Sequence, residues 1–484
     1  MPVSSGEQWR MRTVPERLAW VRRFRHLVAA DADHLVELVR DETGKPRSEA
    51  IASDLLPVLG ACRWLERRAG RVLAPHRASG GGMLAIGQSH RVHRAPLGRV
   101  AIIATWNYPL QLLGIQLAQA LVAGNTVIVK PSERTPRTQG RLLDLGEHAG
   151  LPPGTLERRP AARDAGAQLV AQGSFDHLVF TGSTAVGRRI AAALADRLIP
   201  STLELSGCDA ALVFGDADVT LSAGSIWRAL AMNAGRTCMA PRRVIVAQSV
   251  RESLIDALRA RAARHPIESV CTEAERDGAE RAAHRAAEAG GAWLTTDAPS
   301  EPPWVVIDPP GDTPLARGDH FGPAMAVFTA PDDVGVVAMH ARFDQHLSVS
   351  LFTRDVAKAR RLAAELGASN VTINDAVLPV AHPGTPLAGR GPSGWGVSQG
   401  RDGLLAMTRP VVVARTSRRV RIPADPPSER SAASLLGFAK RLYGRRGVTP
   451  PSAAPAHKDE KMSRHDAEPS PTIHTEHEVA ASHG

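Results

Sequence analysis

From Ala101 to Val129 the chain carries no charged residue. A stretch of that length either spans a bilayer or is enclosed on all sides by protein. Asn107-Tyr108-Pro109 and Gly124-Asn125 interrupt it, and Gln111, Gln116 and Gln119 lie within it. A spanning helix accommodates these poorly. A strand, a turn, a helix and a second strand accommodate all of them, so the stretch reads as the centre of an α/β core. Residues 99–105 are apolar on both faces, as strands of a parallel sheet are.

The same alternation recurs along the chain. A strand at 126–130 precedes a helix from Arg137. A strand at 177–180 leads through Thr181-Gly-Ser-Thr184 into a helix over 185–198, and strands follow at 202–205 and 210–214. Alternating strands and helices predict a doubly wound sheet. Residues 14–79 read as helices, with a turn at Thr43-Gly-Lys-Pro46. A second α/β unit is expected over about 207–405, with strands at 304–307, 324–328, 348–353 and 370–374 and a Gly-rich loop at 387–396. Its Ala-rich stretch over 271–302 gives no clear pattern. A late strand is expected at 410–415.

A chain of 484 residues exceeds a single core, so two or three domains are expected. Aromatics are only 4%, leaving Ala, Val, Leu and Ile to build the interior. The net charge of +10 is concentrated: residues 418–446 hold eight Arg and Lys against Asp425 and Glu429. The body is therefore mildly basic, and no nucleic-acid footprint is expected. Cys62, Cys208, Cys238 and Cys271 form no CxxC pair or Cys/His cluster. Neither a metal site nor a disulfide framework is indicated, which fits a cytoplasmic protein. Nothing at the N-terminus has the apolar core of a signal peptide.

From Thr416 the composition shifts to Pro, Ser, His and charge, and disorder is expected over 447–484. Within the basic stretch, Leu435, Phe438 and Leu442 share one helix face, with Lys440, Arg441, Arg445 and Arg446 elsewhere. Residues 431–446 read either as a peripheral membrane or partner helix or as a short solvated one.

Several residues have the chemistry of a site, each with a plainer reading beside it. Cys238 sits in a small-residue turn, Asn233-Ala-Gly-Arg-Thr-Cys, between an expected helix and an expected strand. Such a junction exposes a nucleophile, whose thiolate is favoured by positive potential or backbone N–H groups. A free Cys is equally at home as a small buried hydrophobe. Glu204 lies between Leu203 and Leu205. Desolvation would raise its pKa toward that of a general base, unless an Arg pairs it. Asn107 has an amide suited to a developing oxyanion, or simply makes a turn before Tyr-Pro. Lys130 and Glu133 follow a strand, where ribose hydroxyls or only solvent await them. Gly182-Ser-Thr-Ala-Val-Gly187 opens a helix, either as a phosphate site or as an ordinary βα turn.

Taken together, in order and spacing, these features resemble the NAD(P)-dependent aldehyde dehydrogenase superfamily, and most of all its compact, class 3-like branch. The match runs from Glu42-Thr-Gly-Lys-Pro46 to about Val413. It includes Trp106-Asn-Tyr-Pro109, Phe180-Thr-Gly-Ser183, Leu203-Glu-Leu205, Phe321-Gly-Pro323, Ser393-Gly394 and a separation of thirty-four positions from Glu204 to Cys238. The resemblance implies an α/β fold of two doubly wound Rossmann-like domains plus a small β oligomerisation arm. The cofactor domain would be 1–83 with 99–206, the catalytic domain 207–405, the arm 84–98 with 406–416, and the tail 417–484.

It implies Cys238 as nucleophile, Asn107 as oxyanion donor and Glu204 as the base that activates water. Trp106, Gly182, Ser183 and Gly187 would border the cofactor's phosphates. Lys130 and Glu133 would hold its adenosine ribose, with Asp319 and Phe321 near the nicotinamide. The cofactor would be NAD, with NADP possible. Tyr108, Ile115, Met232, Thr237 and Met239 would line an apolar substrate tunnel. A homodimer or homotetramer is implied.

The family's Glu before Xaa-Phe-Gly-Pro is Asp319 here. Its Gly-Gly-Lys after Glu-Leu is Ser206-Gly207-Cys208, and its Gln two positions before the nucleophile is Arg236. An inward Arg236 would lower the thiol pKa or bind an acidic substrate. The alternatives are a relative that passes the acyl group to coenzyme A, and a non-catalytic scaffold.

Overall fold

The computed structural model describes residues 5–79, 87–265, 267, 273–295, 297–318, 320–344, 347–377, 381–417 and 428–444. The chain divides into two units, 1–416 and 417–484.

The larger unit begins with helices α1 (Ser5–Met11), α2 (Val14–Ala30), α3 (Ala32–Thr43) and α4 (Arg47–Glu49). A π-helical turn, Ala50–Leu55, joins α4 to α5 (Leu56–Val72). The helical reading over 14–79 runs too far. Pro75 lacks the N–H a helix needs, and the next residues form a short strand, β1 (His76–Arg77), paired with β2 (Gln88–Pro96).

The first large sheet is built from β3 (Arg99–Ile103), α6 (Gln111–Ala123), β4 (Thr126–Lys130), α7 (Pro136–His148), β5 (Leu156–Arg158), α8 (Arg163–Gln172), β6 (His177–Gly182), α9 (Thr184–Ala195) and β7 (Ser201–Leu205). These strands are parallel and ordered β5-β4-β3-β6-β7. The uncharged stretch is therefore β3-α6-β4, and α6 is buried from Leu112 to Ala123. Successive side chains of a strand point to opposite faces. Val100, Ile102, Val127 and Val129 enter one core with Trp20, Phe24 and Leu142. Ala101, Ile103, Ile128 and Leu178 enter a second with Leu169 and Ile190. Helices cover both faces, which is why these strands read as apolar throughout. The strand order reverses between β3 and β6, and a doubly wound sheet binds ligands outside the carboxyl ends at such a reversal.

The second sheet follows with β8 (Asp209–Val213), α10 (Val219–Ala231), β9 (Pro241–Ala247), α11 (Arg251–Arg264), α12 (Glu273–Glu288), β10 (Ala292–Trp293), β11 (Trp304–Ile307), α13 (Pro314–Arg317), β12 (Ala324–Ala330), α14 (Asp333–His340), β13 (Ser348–Phe352), α15 (Val356–Ala363) and β14 (Asn370–Ile373). Its order is β10-β11-β12-β9-β8-β13-β14, parallel except for β10. The patternless Ala-rich stretch contains α12. Its packed stripe is Ala279, Ala282, Ala283 and Ala286 against Trp304 and Val306, too weak in hydrophobicity to show a period.

The chain then returns through β15 (Leu387–Ala388), β16 (Gly394–Trp395), β17 (Val397–Ser398), α16 (Gly400–Ala406) and β18 (Thr408–Thr416). β16 joins the first sheet, antiparallel to β7, with Gly394 opposite Glu204. Leu404 of α16 and the following Met407 lie in the core of the first sheet. A catalytic segment ending at 405 thus shares its last helix with the cofactor side. β18 pairs with β2 from Thr408–Pro96 to Thr416–Gln88, and its Val412 and Val413 are exposed.

In the smaller unit the described structure is α17 (Glu429–Tyr443), which buries none of its residues. No helix among the described residues is long and apolar enough to cross a membrane. Residues 447–484, expected to be disordered, lie outside the described residues.

Trp20 keys the first core. It is fully buried, stacks on Phe24 at 5.2 Å between ring centres, and donates to the Gly146 carbonyl at 2.9 Å. Trp20→Ala should cost about 3–5 kcal/mol, from lost burial and the cavity left behind. Denaturant unfolding measures it, and an unchanged midpoint would refute this account of the core.

Candidate active site

The two sheets meet where β7 ends and β8 begins, joined by Ser206-Gly207-Cys208. The carboxyl ends of β3, β4, β6 and β7 face this junction, as do the loops entering β9 and β12. Between them lies a cavity of about 440 Å³ lined by Trp106, Asn107, Gly182, Ser183, Glu204, Cys238 and Phe321, among others. A second cavity of about 120 Å³ is lined by Tyr108, Met232, Thr237, Cys238 and Met239 with Gln111 and Leu112 of α6. Cys238 lies in the wall of both.

The nucleophile loop departs from regular structure for a physical reason. Asn233 (φ 50°), Ala234 (φ 49°) and Gly235 (φ 74°) are left-handed in succession. Two non-glycine residues in that region are strained, and such strain persists only where the surroundings over-determine it. Here Asn233 makes six hydrogen bonds, one of them from the Arg236 backbone N–H to its carbonyl at 2.9 Å. Its backbone N–H donates to Glu49 Oε1 at 2.5 Å, and its Nδ2 donates to the Asn107 and Arg236 carbonyls at 2.9 and 3.2 Å. Its carbonyl and Oδ1 accept from Arg236 at 2.9 and 2.8 Å. Gly235 packs so closely on Gly322 that an added Cβ would lie 2.4 Å from its carbonyl carbon. Arg242 donates to the carbonyls of both glycines at 2.6 Å, tying the nucleophile loop to Phe321-Gly-Pro323.

Arg236 does not act on the thiol. It is buried and donates to the Thr43 carbonyl at 2.6 Å as well as to Asn233, so it holds the loop against the end of α3. Its guanidinium also lies 5.4 Å from the centre of the Trp106 ring. Glu49 and Lys45 belong to the same knot. Lys45 pairs with Asp54 at 2.5 Å, both fully buried, and sits 3.8 Å over the Tyr108 ring. Tyr108 in turn is 2.5 Å from the Thr237 hydroxyl, next to the nucleophile.

The resting thiol is not activated. Burial pushes Cys238 up to about 12, reinforced by the Asp209 and Glu204 carboxylates and opposed by the Cys238 and Met239 amides. The expectation of a locally lowered pKa is therefore corrected: the nearby charges are negative. Burial likewise raises Glu204, against hydrogen bonds from Ser398 and Thr181. Glu204 Oε1 is buried without a hydrogen-bond partner in the structure and belongs to a residue lining the larger cavity. Asp209, pushed up to about 7 by burial, accepts from the Leu347 N–H at 2.9 Å.

On the cofactor side, Ser183 caps α9, accepting from the Val186 N–H, and Gly187 packs on Leu205. Trp106 meets Phe321 edge-on at 5.9 Å, with the Arg134 guanidinium 3.3 Å from its ring centre. Lys130 bonds Glu133 at 2.8 Å at the end of β4. Burial raises Glu133, but Lys130 more than offsets this and holds it below the usual carboxylate range. Lys130, Glu133 and Gly187 lie outside the lining of the larger cavity. Ile115 is buried in α6 and lines neither cavity, because Gln111 and Leu112 face the smaller one. Asp319 lies outside the described residues.

No motif singles out His320, a cavity-lining residue whose burial drives its pKa well below the ordinary histidine range. Cys208, at the position of the family's Lys, is buried and accepts from Arg243 at 3.0 Å, so an arginine from β9 brings the cation there.

Cys238 thus stands between the larger cavity and a smaller one with no charged lining residue among those described. The Aldehyde dehydrogenase family matches residues 4–413, and this chain is a member of that family. It is 31% identical over 451 residues to a 4,4'-diapolycopene aldehyde oxidase of Methylomonas sp, covering 90% of this chain and 84% of that one. It is 33% identical over 412 residues to betaine aldehyde dehydrogenase 2 of Rhizobium meliloti, covering 82% and 84%. Among solved structures, a Mycobacterium tuberculosis aldehyde dehydrogenase complexed with NAD+ superposes with a TM-score of 0.78 at 26% identity, covering 84% of this chain and 86% of that one. The family's cofactor is a nicotinamide dinucleotide, NAD or NADP. The residues fit it: the larger cavity has the room, the capped start of α9 borders it, and aromatic faces line one side.

Arg236→Lys should lower both thermal stability and kcat/KM, the latter about tenfold or more, since an ammonium cannot match a planar fork holding separate acceptors. Melting curves and steady-state kinetics measure this, and wild-type values for both would refute the stapling role.

Proposed function

We propose that this chain oxidises an apolar aldehyde to its carboxylic acid, with Cys238 as nucleophile. The observation that carries the reading is the position of Cys238 in the wall common to both cavities. Cys238 gives up its proton to solvent as its sulfur adds to the aldehyde carbon, forming a C–S bond and turning the C=O π pair into an alkoxide. The Asn107 amide and the Cys238 backbone N–H hold that oxyanion. NAD or NADP, held in the larger cavity, would supply the two-electron acceptor; hydride leaves the same carbon, and the substrate becomes a thioester on Cys238. Glu204 takes a proton from water, which attacks the thioester and displaces the Cys238 sulfur as the acid forms. The raised pKa of Glu204 and its unpartnered Oε1 suit that task.

On the cofactor side, Lys130 and Glu133 would hold the adenosine ribose, and Trp106, Gly182, Ser183 and Gly187 would border the phosphates. Phe321 and Asp319 would approach the nicotinamide. Glu133 accepts a 2′-hydroxyl and repels a 2′-phosphate, favouring NAD. On the substrate side the smaller cavity has no charged lining residue among those described. Its Met232, Met239 and Leu112 favour an apolar aldehyde, in keeping with a relative named for 4,4'-diapolycopene aldehyde. The β2-β18 arm, with Val412 and Val413 exposed, is the surface through which a homodimer or homotetramer would form. A cytoplasmic setting suits the free thiols.

The decisive experiment separates acylation from deacylation. Glu204→Gln should give a burst of NADH equal to the enzyme present, followed by turnover reduced about 100-fold or more. Cys238→Ala should give neither. A burst from Cys238→Ala, or unimpaired turnover by Glu204→Gln, would overturn the assignments. Rescue of Glu204→Gln by coenzyme A as acyl acceptor would expose the alternative chemistry.

Decanal should exceed succinic semialdehyde and betaine aldehyde in kcat/KM by about 100-fold, because a charged group gains no partner in that cavity. Comparable values would refute the apolar substrate.

The pH dependence has a definite sign. The thiol is raised, so its reactive form is scarce at neutrality and rises about tenfold per pH unit below its pKa. Alkylation of nucleotide-free Cys238 by iodoacetamide should keep accelerating from about pH 7 to pH 10. A plateau below pH 9 would contradict the raised thiol.

A further inference from the structure

We propose that α17 is a docking helix for an anionic phospholipid surface. On a 3.6-residue period its apolar and charged side chains separate, with Ser431 falling inside the apolar arc and Ala433 inside the polar one. Ala432, Leu435, Leu436, Phe438, Ala439, Leu442 and Tyr443 fall on one continuous arc. Glu429, Arg430, Ser434, Lys440 and Arg441 fall on the other. Leu435, Leu436, Phe438, Leu442 and Tyr443 are between 39% and 74% exposed. A soluble helix normally buries such an arc, since exposed apolar stripes of this size mark interaction surfaces.

The helix is built to persist. The Ser428 side chain accepts from the Ser431 N–H, Glu429 lies in the first turn, and Lys440 and Arg441 lie in the last. Glu429, Lys440 and Arg441 suit their ends of the helix dipole, while Arg430 in the first turn opposes it.

Charge decides between occupants. The flanking sequence adds Arg418, Arg419 and Arg421 before the helix and Arg445 and Arg446 after it. A second copy of so basic a segment would be repelled, whereas an anionic lipid surface is attracted. Fifteen residues are too few to span a bilayer but enough to lie in its interface, with the apolar arc among the acyl chains and the cations at the phosphates. Docking stands on this helix alone. Its consequence, that the enzyme works where apolar aldehydes partition, rests on the proposed substrate class.

Flotation of the full-length protein with vesicles, without aldehyde or nucleotide, tests the docking. Vesicles of phosphatidylcholine with phosphatidylglycerol should retain the protein, and pure phosphatidylcholine should not. Each basic side chain near the surface contributes about fivefold to partitioning, so Lys440→Glu with Arg441→Glu should weaken retention at least about 25-fold. Phe438→Ser with Leu442→Ser should reduce it to the phosphatidylcholine level. Turnover of a water-soluble aldehyde, unchanged in both variants, shows that the body is folded. Absence of vesicle binding by the wild type would overturn the proposal, as would retention that ignores either pair of substitutions. So would a change in oligomeric state caused by the apolar pair in a protein that no vesicle retains, which would make α17 a contact between proteins. Vesicle docking with no turnover of decanal would leave the helix assignment standing and defeat only the substrate reading.

Discussion

The site depends on one knot of hydrogen bonds around Asn233. A left-handed pair of residues carries the chain toward Cys238. Asn233 tolerates that region, but Ala234 has no intrinsic preference for it. It is enforced from three directions: Glu49 from the N-terminal helices, Asn107 from the loop after β3, and Arg236 from within the loop. These donors and acceptors are buried, so losing any one leaves an unpaired polar group in a low-dielectric setting, where such groups are expensive. The position of Cys238 is thus fixed in part by Glu49, Asn233 and Arg236, which line neither cavity.

The electrostatics of the site run against its expected chemistry at rest. Burial, with the Asp209 and Glu204 carboxylates adding to it, raises the thiol. The same burial raises Glu204. A thiol so raised reacts slowly with oxidants and alkylating agents, since reactivity follows the thiolate.

Much of this was legible beforehand because the signals were local. The charge-free run Ala101–Val129 could be satisfied only by a strand, helix and strand buried on every side, and β3-α6-β4 is that unit. The order of short motifs pointed to residues that the fold gathers around one cavity, namely Trp106, Asn107, Gly182, Ser183, Glu204, Cys238 and Phe321. The failures were of two physical kinds. α12 escaped notice because an alanine stripe has little hydrophobic contrast, and β1 because a helix ended at Pro75 without a glycine stop. The roles of Arg236, His320 and Lys45 depend on long-range packing, which spacing along a chain does not encode. Ile115 was misplaced by one face of α6, a rotation that sequence could not set in a helix buried all round.

The link Ser206-Gly207-Cys208 has a mechanical meaning. Glu204 precedes it by two residues, and Asp209 follows it directly. Gly207 lies so close to the Cys238 carbonyl that any Cβ there would collide, at 2.6 Å. If one sheet rocks against the other about this link, points on the axis move least and the mouth of the cleft moves most. On such a motion Glu204 and Cys238, beside the link, would keep their spacing while the mouth of the cleft widened.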